Sequence, residues 1–293
     1  MTRSGPVHAA MDSARSVHRG LELAGYLSND EIASTVHLAG RIDKPILVEG
    51  PAGTGKTALA KAVAEMTGSR LIRLQCYEGL DESKALYEWD YRKQLLRIQA
   101  GGSEWDSLED DIFGDHFLLA RPLLEAIRSE EQVVLLIDEV DRLDVETEAL
   151  LLEVLSEYQV TIPELGTITA RSHPRVFLTS NNSRELSEAL KRRCLFLHID
   201  YPSAERERDI ISAHVDGVSE QLAAQIADVI RSLRALELKK KPSVSETLDW
   251  AHALVELGID EVERETVINS LNVLLKNRAD IELVTAEFQA RSA

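Results

Sequence analysis

Gly50-Pro51-Ala52-Gly53-Thr54-Gly55-Lys56-Thr57 is the stretch on which the reading of this chain turns. The apolar run Pro45-Ile46-Leu47-Val48 precedes it, and Ala58-Leu59-Ala60-Lys61-Ala62-Val63-Ala64 follows. That order predicts a short buried strand, a glycine-rich turn and a helix, the setting in which Gly-x-x-x-x-Gly-Lys-Ser/Thr cradles phosphate. Without a Cβ the backbone can curl until successive N–H groups face one anion, and the helix N-terminus adds partial positive charge. Lys56 is placed to reach the outer phosphates of a nucleoside triphosphate, and the Thr57 hydroxyl to take one position on Mg2+. The phosphate-facing stretch is then Gly50 to Thr57, with Ala58 in the first helical turn. A loop that only turned the chain would need neither the lysine nor the threonine.

Composition bounds the remaining possibilities. The 293 residues suffice for one large α/β domain and a smaller one. No apolar run approaches the ~20 residues of a membrane span, and no N-terminal apolar core suggests a signal peptide. Cys76 and Cys194 lie far apart without ligand spacing and read as buried thiols of a cytoplasmic protein. The formal net charge of −17 argues against nucleic acid as the main ligand, because phosphate contacts need clustered Lys and Arg. The one basic run, Lys239-Lys240-Lys241, reads as a solvated loop.

In chain order, residues 1–12 predict a loose tail, followed by a helix from Ser13 to Ala24 that Gly25 ends. Ser28 and Glu31 predict a capping box for a second helix that Gly40 closes. Strand, phosphate loop and helix follow, then a strand over Leu71-Ile72-Arg73-Leu74-Gln75-Cys76. Ser83 to Gln99 reads as a helix carrying Tyr87, Trp89 and Tyr91, which cannot share one face at that spacing. Either they pack in the core, or the segment projects and touches a partner. Gly101-Gly102 ends this piece, and Ser103 to Asp115 reads as an acidic loop.

A helix with Pro122 near its start leads to Gln132-Val133-Val134-Leu135-Leu136-Ile137-Asp138-Glu139, an apolar strand ended by acids and buried on both faces of a parallel sheet. Next come a helix over Glu146 to Tyr158 and a hairpin over residues 159–170, turning at Pro163-Glu164-Leu165-Gly166. A strand ending in Thr179-Ser180-Asn181, a helix from Arg184 to Arg192 and a strand from Leu195 to Ile199 complete a β/α alternation. Beyond Tyr201-Pro202 only helix signals remain, including boxes at Ser243/Glu246 and Asp260/Glu263. The predicted organisation is a tail and helix over residues 1–27, an α/β nucleotide-binding core over 28–202, and a small helical domain over 203–293.

Asp138 at a strand tip beside a phosphate loop suits a carboxylate that holds Mg2+, and Glu139 suits a base that activates water. Asn181 is placed either to orient that water or the γ-phosphate, or simply to end a strand. Arg192 and Arg193 read either as a finger reaching a neighbouring subunit's nucleotide, with Arg193 slightly preferred, or as a solvated helix end.

With these residues in place, the chain resembles the AAA+ ATPases and, within them, the MoxR branch. The markers are residues 47–57, Leu136-Ile137-Asp138-Glu139-Val140-Asp141-Arg142, the hairpin turn, Thr179-Ser180-Asn181-Asn182 and Glu188 to Cys194. The stretch from Leu71 to Asp81 and on to Tyr91 is similar to the CoxD group, which assists maturation of carbon monoxide dehydrogenase and related molybdenum hydroxylases. The resemblance implies a parallel-sheet P-loop core with an all-helical lid, ATP and Mg2+ as cofactors, and a homo-oligomeric, hexameric ring. It further implies a client metalloenzyme and a von Willebrand factor A domain partner, with Asn181 as sensor 1. Tyr87, Trp89, Tyr91 and Leu165 become candidate client contacts. One departure concerns the lid: the family's third lid helix carries a sensing Arg, whereas Pro242-Ser243-Val244-Ser245-Glu246 has none. Either Lys239 to Lys241 substitutes or the lid senses nucleotide differently. Competing readings are a CbbQ-like activator of a carboxylase, a nucleotide-gated scaffold and a nucleic-acid motor.

Overall fold

Apolar residues with no polar break pull the strand β5 (Val134–Asp138) to the centre of the fold, where all five of its residues are buried. The computed structural model describes residues 11–100 and 112–290. The predicted tail up to residue 10, Gly101-Gly102 and the acidic stretch up to residue 111 lie outside the described residues. The chain divides into two compact units: the chain up to Glu49 with Lys56–His198, and Gly50–Gly55 with Ile199–Ala293.

In the first unit, β5 pairs with β2 (Leu71–Gln75) on one side and β8 (Arg175–Ser180) on the other. Beyond β8 lie β1 (Ile46–Glu49) and β9 (Leu195–His198), giving the order β2-β5-β8-β1-β9 with every pairing parallel. The register sets Gln75 opposite Asp138 and Glu49 opposite Ser180, so the carboxyl ends of the strands align. Helices α1 (Ala14–Leu23), α2 (Asp30–Ile42) and α3 (Lys56–Thr67) belong to this unit. Gly25 follows α1 at φ +73°.

Several local expectations need correction. The N-cap of α2 is Asn29, whose Oδ1 accepts the Ile32 N–H at 2.8 Å. Ser28 is unavailable for that role because it is buried and bonded to His18 Nδ1 at 2.7 Å. Gly40 does not close α2; the helix runs two residues further, and Asp43 ends it at φ +49°. A Cβ at Gly40 would lie 2.6 Å from Met11 Cε, the far end of a flexible side chain that can move aside.

The segment expected as one helix from Ser83 to Gln99 is instead helix, strand, helix: α4 (Glu82–Ala85), β3 (Tyr87–Trp89) and α5 (Tyr91–Ala100). Alternation at Tyr87-Glu88-Trp89 suits a pleat, and β3 pairs antiparallel with β4 (Leu118–Ala120). Trp89 is only 7% exposed and meets the Phe113 ring edge-on at 5.4 Å, so it is a core residue rather than a surface contact. Tyr87 is half-buried against the same core, whereas Tyr91 is 62% exposed.

Onward, α6 (Pro122–Arg128), α7 (Val145–Glu157) and the hairpin β6 (Gln159–Ile162) with β7 (Gly166–Thr169) follow the expected order. Leu165, at the hairpin turn, is half-buried against the core. The helix expected over Arg184–Arg192 shrinks to α8 (Glu188–Lys191). Buried Glu148 takes up the preceding residues, accepting the Ser187 N–H and an Arg184 N–H at 2.9 Å each, and Ser187 then caps what remains.

The second unit holds α9 (Ala204–His214), α10 (Glu220–Arg234), α11 (Val244–Glu256), α12 (Arg264–Leu274) and α13 (Arg278–Ala290) around fully buried Trp250. The Ser243/Glu246 box is formed. No Asp260/Glu263 box forms; Glu263 stands at the N-cap of α12 without a side-chain bond, and Gln225 has taken the Val262 N–H at 2.8 Å.

Burial pushes both thiols, Cys76 and Cys194, up to about 12. Asp138, Asp141 and Glu139 add to the effect at Cys76, while Lys44 and Arg193 oppose it at Cys194. At pH 8 almost no thiolate is present, so neither cysteine should react with an aromatic disulfide reagent until the protein is denatured. Fast labelling of folded protein would contradict this.

Candidate active site

In the helical unit the phosphate loop is fastened by close backbone contacts. Val244 N–H donates to Gly53 O at 3.1 Å, and the Thr54 hydroxyl reaches Pro51 O and Ile199 O at 3.0 and 3.3 Å. Two positions admit only glycine. A Cβ at Gly50 would fall 1.9 Å from Ile199 O, and one at Gly53, which has φ +73°, would fall 2.4 Å from Ser243 Oγ. The lysine run does not stand free: Lys240 Nζ pairs with Glu246 Oε1 at 3.0 Å, and the Lys239 and Lys240 N–H groups donate to Asp280.

In the core unit the carboxylate of Asp138, at the tip of β5 and 3% exposed, is the centre of a hydrogen-bond cluster. Its Oδ1 accepts the Thr57 hydroxyl at 2.9 Å and the Thr179 hydroxyl at 2.5 Å. Its Oδ2 accepts Arg73 Nε at 3.1 Å and Nη2 at 2.5 Å. Thr179 in turn accepts the Glu139 N–H at 2.9 Å, linking the tips of β5 and β8. Glu139 sits at φ +58°, a left-handed conformation uncommon for a non-glycine residue, and its carboxylate meets Arg142 Nε at 2.8 Å. The turn thereby sends two consecutive carboxylates in different directions.

Lys56 is 6% exposed at the start of α3. Burial pulls its ammonium below the ordinary lysine range, while Asp141, Asp138 and Glu139 hold it up. For Asp141, burial pushes the carboxyl up. Hydrogen bonds from Ser183 and the Asn181 backbone outweigh that and leave it below the usual range. Ser183 gives Asp141 Oδ2 both its N–H, at 2.9 Å, and its hydroxyl, at 2.5 Å. Asn181 is thus fixed through its backbone just beyond β8, beside a left-handed Asn182 at φ +57°.

Lys56, Thr57, Asp138, Glu139 and Asn181 therefore belong to one set of linked strand tips and the first turn of α3. The two arginines lie elsewhere and differ. Arg193 is tied to its own chain through Ser156 Oγ and Ala189 O, whereas the Arg192 side chain is 81% exposed and pairs only distantly with Glu188, at 3.9 Å. Of the pair, Arg192 is the one free to reach outward. Arg73, Thr179 and Asp141 received no role from the sequence. An arginine at an outward position of β2 carries no local sign that β2 will pair with the strand ending in Asp138.

A family model described as the ATPase family associated with various cellular activities (AAA) matches residues 46–201. The chain belongs to the AAA ATPases. Among similar sequences is an uncharacterized protein of Staphylococcus haemolyticus, 25% identical over 260 residues, covering 84% of this chain and 92% of that one. The gas vesicle ATPase GvpN of Ancylobacter aquaticus is 28% identical over 229 residues, covering 74% of this chain but 62% of that longer one. A mutant of Thermotoga maritima RuvB shares the AAA+ fold, with 18% identity, a TM-score of 0.51 and coverage of 91% of this chain and 73% of that one. The AAA core is thus a P-loop fold with a parallel sheet between helices, followed by a helical region. Among the described residues no helix is long and apolar enough to cross a membrane.

Proposed function

We propose that this AAA protein is a MoxR-type remodelling ATPase, with Gly50–Thr57 as its phosphate loop and Glu139 as the base that activates water. The observation that carries the reading is the convergence of the Thr57 hydroxyl and Asp138 Oδ1 at 2.9 Å at the aligned strand tips. The donor set fits Mg2+, which prefers a hydroxyl, one or two carboxylates, waters and the nucleotide's own phosphates over an all-protein cage. When bound, Mg2+ neutralises charge developing on the phosphates. Lys56 binds the outer phosphates, Asn181 orients the attacking water, and Glu139 accepts its proton. Arg192, exposed and held only by a distant pairing with Glu188, is the better of the two candidates for a finger acting on a neighbouring subunit in a hexameric ring.

The finer reading, a role in maturing a molybdenum hydroxylase beside a von Willebrand factor A domain partner, is supported by the resemblance of residues 71–91 to the CoxD group. The exposed Tyr91, Leu95 and Leu96 of α5 offer an apolar face for such a client. Steady-state phosphate release from ATP that EDTA and Lys56→Ala both abolish is the expected result. Release no faster than the buffer blank overturns the ATPase reading. Capture by Glu139→Gln in the native host tests the client: enrichment of molybdenum hydroxylase subunits with ATP over ADP is expected, and their absence from the captured proteins sinks that part.

A further inference from the structure

We propose that Arg73 sets how tightly the Asp138 site takes a divalent cation, by opposing it at the shared carboxylate. The inference rests on the reading of Asp138 as the metal-holding group. A carboxylate offers about four acceptor positions, and here Asp138 receives two hydroxyls on Oδ1 and two guanidinium N–H groups on Oδ2. The three donors are not equivalent. A hydroxyl can rotate, donate elsewhere and turn a lone pair toward a metal, so Thr57 and Thr179 adapt to a cation. A guanidinium has no lone pair to offer and does not lose its proton, so Arg73 must give way or repel.

The placement suits that role. Arg73 and Gln75 occupy the outward positions of β2, an edge of the five-stranded sheet, and Gln75 lies directly opposite Asp138. A second bond from Arg73 Nη2 to Gln75 Oε1 holds the guanidinium across that face. The Arg73 side chain is 47% exposed, so it has solvent to swing into when the carboxylate holds a cation. The buried residues of β2 are Ile72 and Leu74, which alternate with Arg73 along the strand. Arg73 is therefore a tuning residue acting through Asp138. It protects the carboxylate's charge and makes metal occupancy depend on how much metal, with nucleotide, is supplied.

The experiment is Mn2+ binding to ADP-saturated protein, read from the free-ion electron paramagnetic resonance signal, for the parent chain, Arg73→Gln, Arg73→Lys and Asp138→Asn. Arg73→Gln should tighten Mn2+ binding by about two- to fivefold, the range open to a half-exposed ion pair. Arg73→Lys keeps the charge and should stay near the parent. Unchanged or weaker Mn2+ binding by Arg73→Gln overturns the proposal, because an arginine that merely held Asp138 in place would weaken the metal site when lost. Asp138→Asn separates the two levels. Its expected loss of about tenfold or more in Mn2+ affinity supports the metal reading, and parent-like binding by Asp138→Asn overturns that reading itself.

Discussion

Glu139→Gln should lower ATP turnover by about two to four orders of magnitude, the usual contribution of a positioned general base, while ATP affinity stays within about threefold of the parent. The substitution is nearly isosteric and leaves the backbone untouched. The Glu139 N–H still donates to Thr179 Oγ1, and the left-handed turn that separates its side chain from that of Asp138 is retained. What disappears is the carboxylate, and with it the capacity to take a proton from water. The Arg142 pairing is also lost, but it is solvent-facing and carries little energy. Multiple-turnover phosphate release and titration with a fluorescent ATP analogue measure the two quantities separately. Equal turnover by the two proteins would remove Glu139 from the chemistry. A parallel loss of ATP affinity would instead make it a binding residue.

The second large effect concerns Arg234, at the end of α10. Its guanidinium pairs with both carboxylate oxygens of Glu207, donates to Pro242 O at 2.9 Å and lies 4.5 Å over the Tyr201 ring. Glu207 is 1% exposed, and it also accepts the Thr247 hydroxyl at 2.8 Å. Arg234→Ala therefore strands a buried carboxylate, an event that costs about 3–5 kcal/mol. Chemical denaturation followed through Trp250, the tryptophan of the helical unit, should show that loss. A change below about 1 kcal/mol would mean that the carboxylate escapes to solvent or takes a proton cheaply. The double change Glu207→Leu with Arg234→Leu should recover much of the loss, because two charges removed together leave none unpaired. The consequence reaches the phosphate loop. Pro242 precedes Ser243 and Val244, whose backbone holds Gly53, so Arg234→Ala should also weaken ATP binding.

Much of the fold was legible in sequence because its signals are short-range. An apolar run ended by acids is a buried strand with a polar tip wherever it occurs, and β5 with Asp138 answers to that. Ser243 and Glu246 form a capping box through atoms three residues apart, so their pattern alone decides the bond. Misreadings came where two local options were close and a distant contact chose between them. Ser28 and Asn29 could each cap α2, and His18 took Ser28. Tyr87-Glu88-Trp89 could be helix or strand, and pairing with Leu118–Ala120 made it strand, which carried Trp89 into the core.

By itself the sequence determined that a strand, a phosphate loop and a helix run in succession, that two acids end a buried strand, and that helices alone follow residue 203. These are consequences of side-chain periodicity and of glycine's backbone freedom, both readable along a few consecutive residues. Only the tertiary structure decided what meets those acids. Arg73 and Thr179 stand 65 and 41 residues from Asp138 and reach it because β2 and β8 flank β5 in the sheet. Likewise Gly50 and Gly53 are required for tightness against Ile199 and Ser243, far along the chain, as well as for their turn. Strand order and the close approach of remote backbones come from how the whole apolar surface packs, and no stretch of local pattern encodes them.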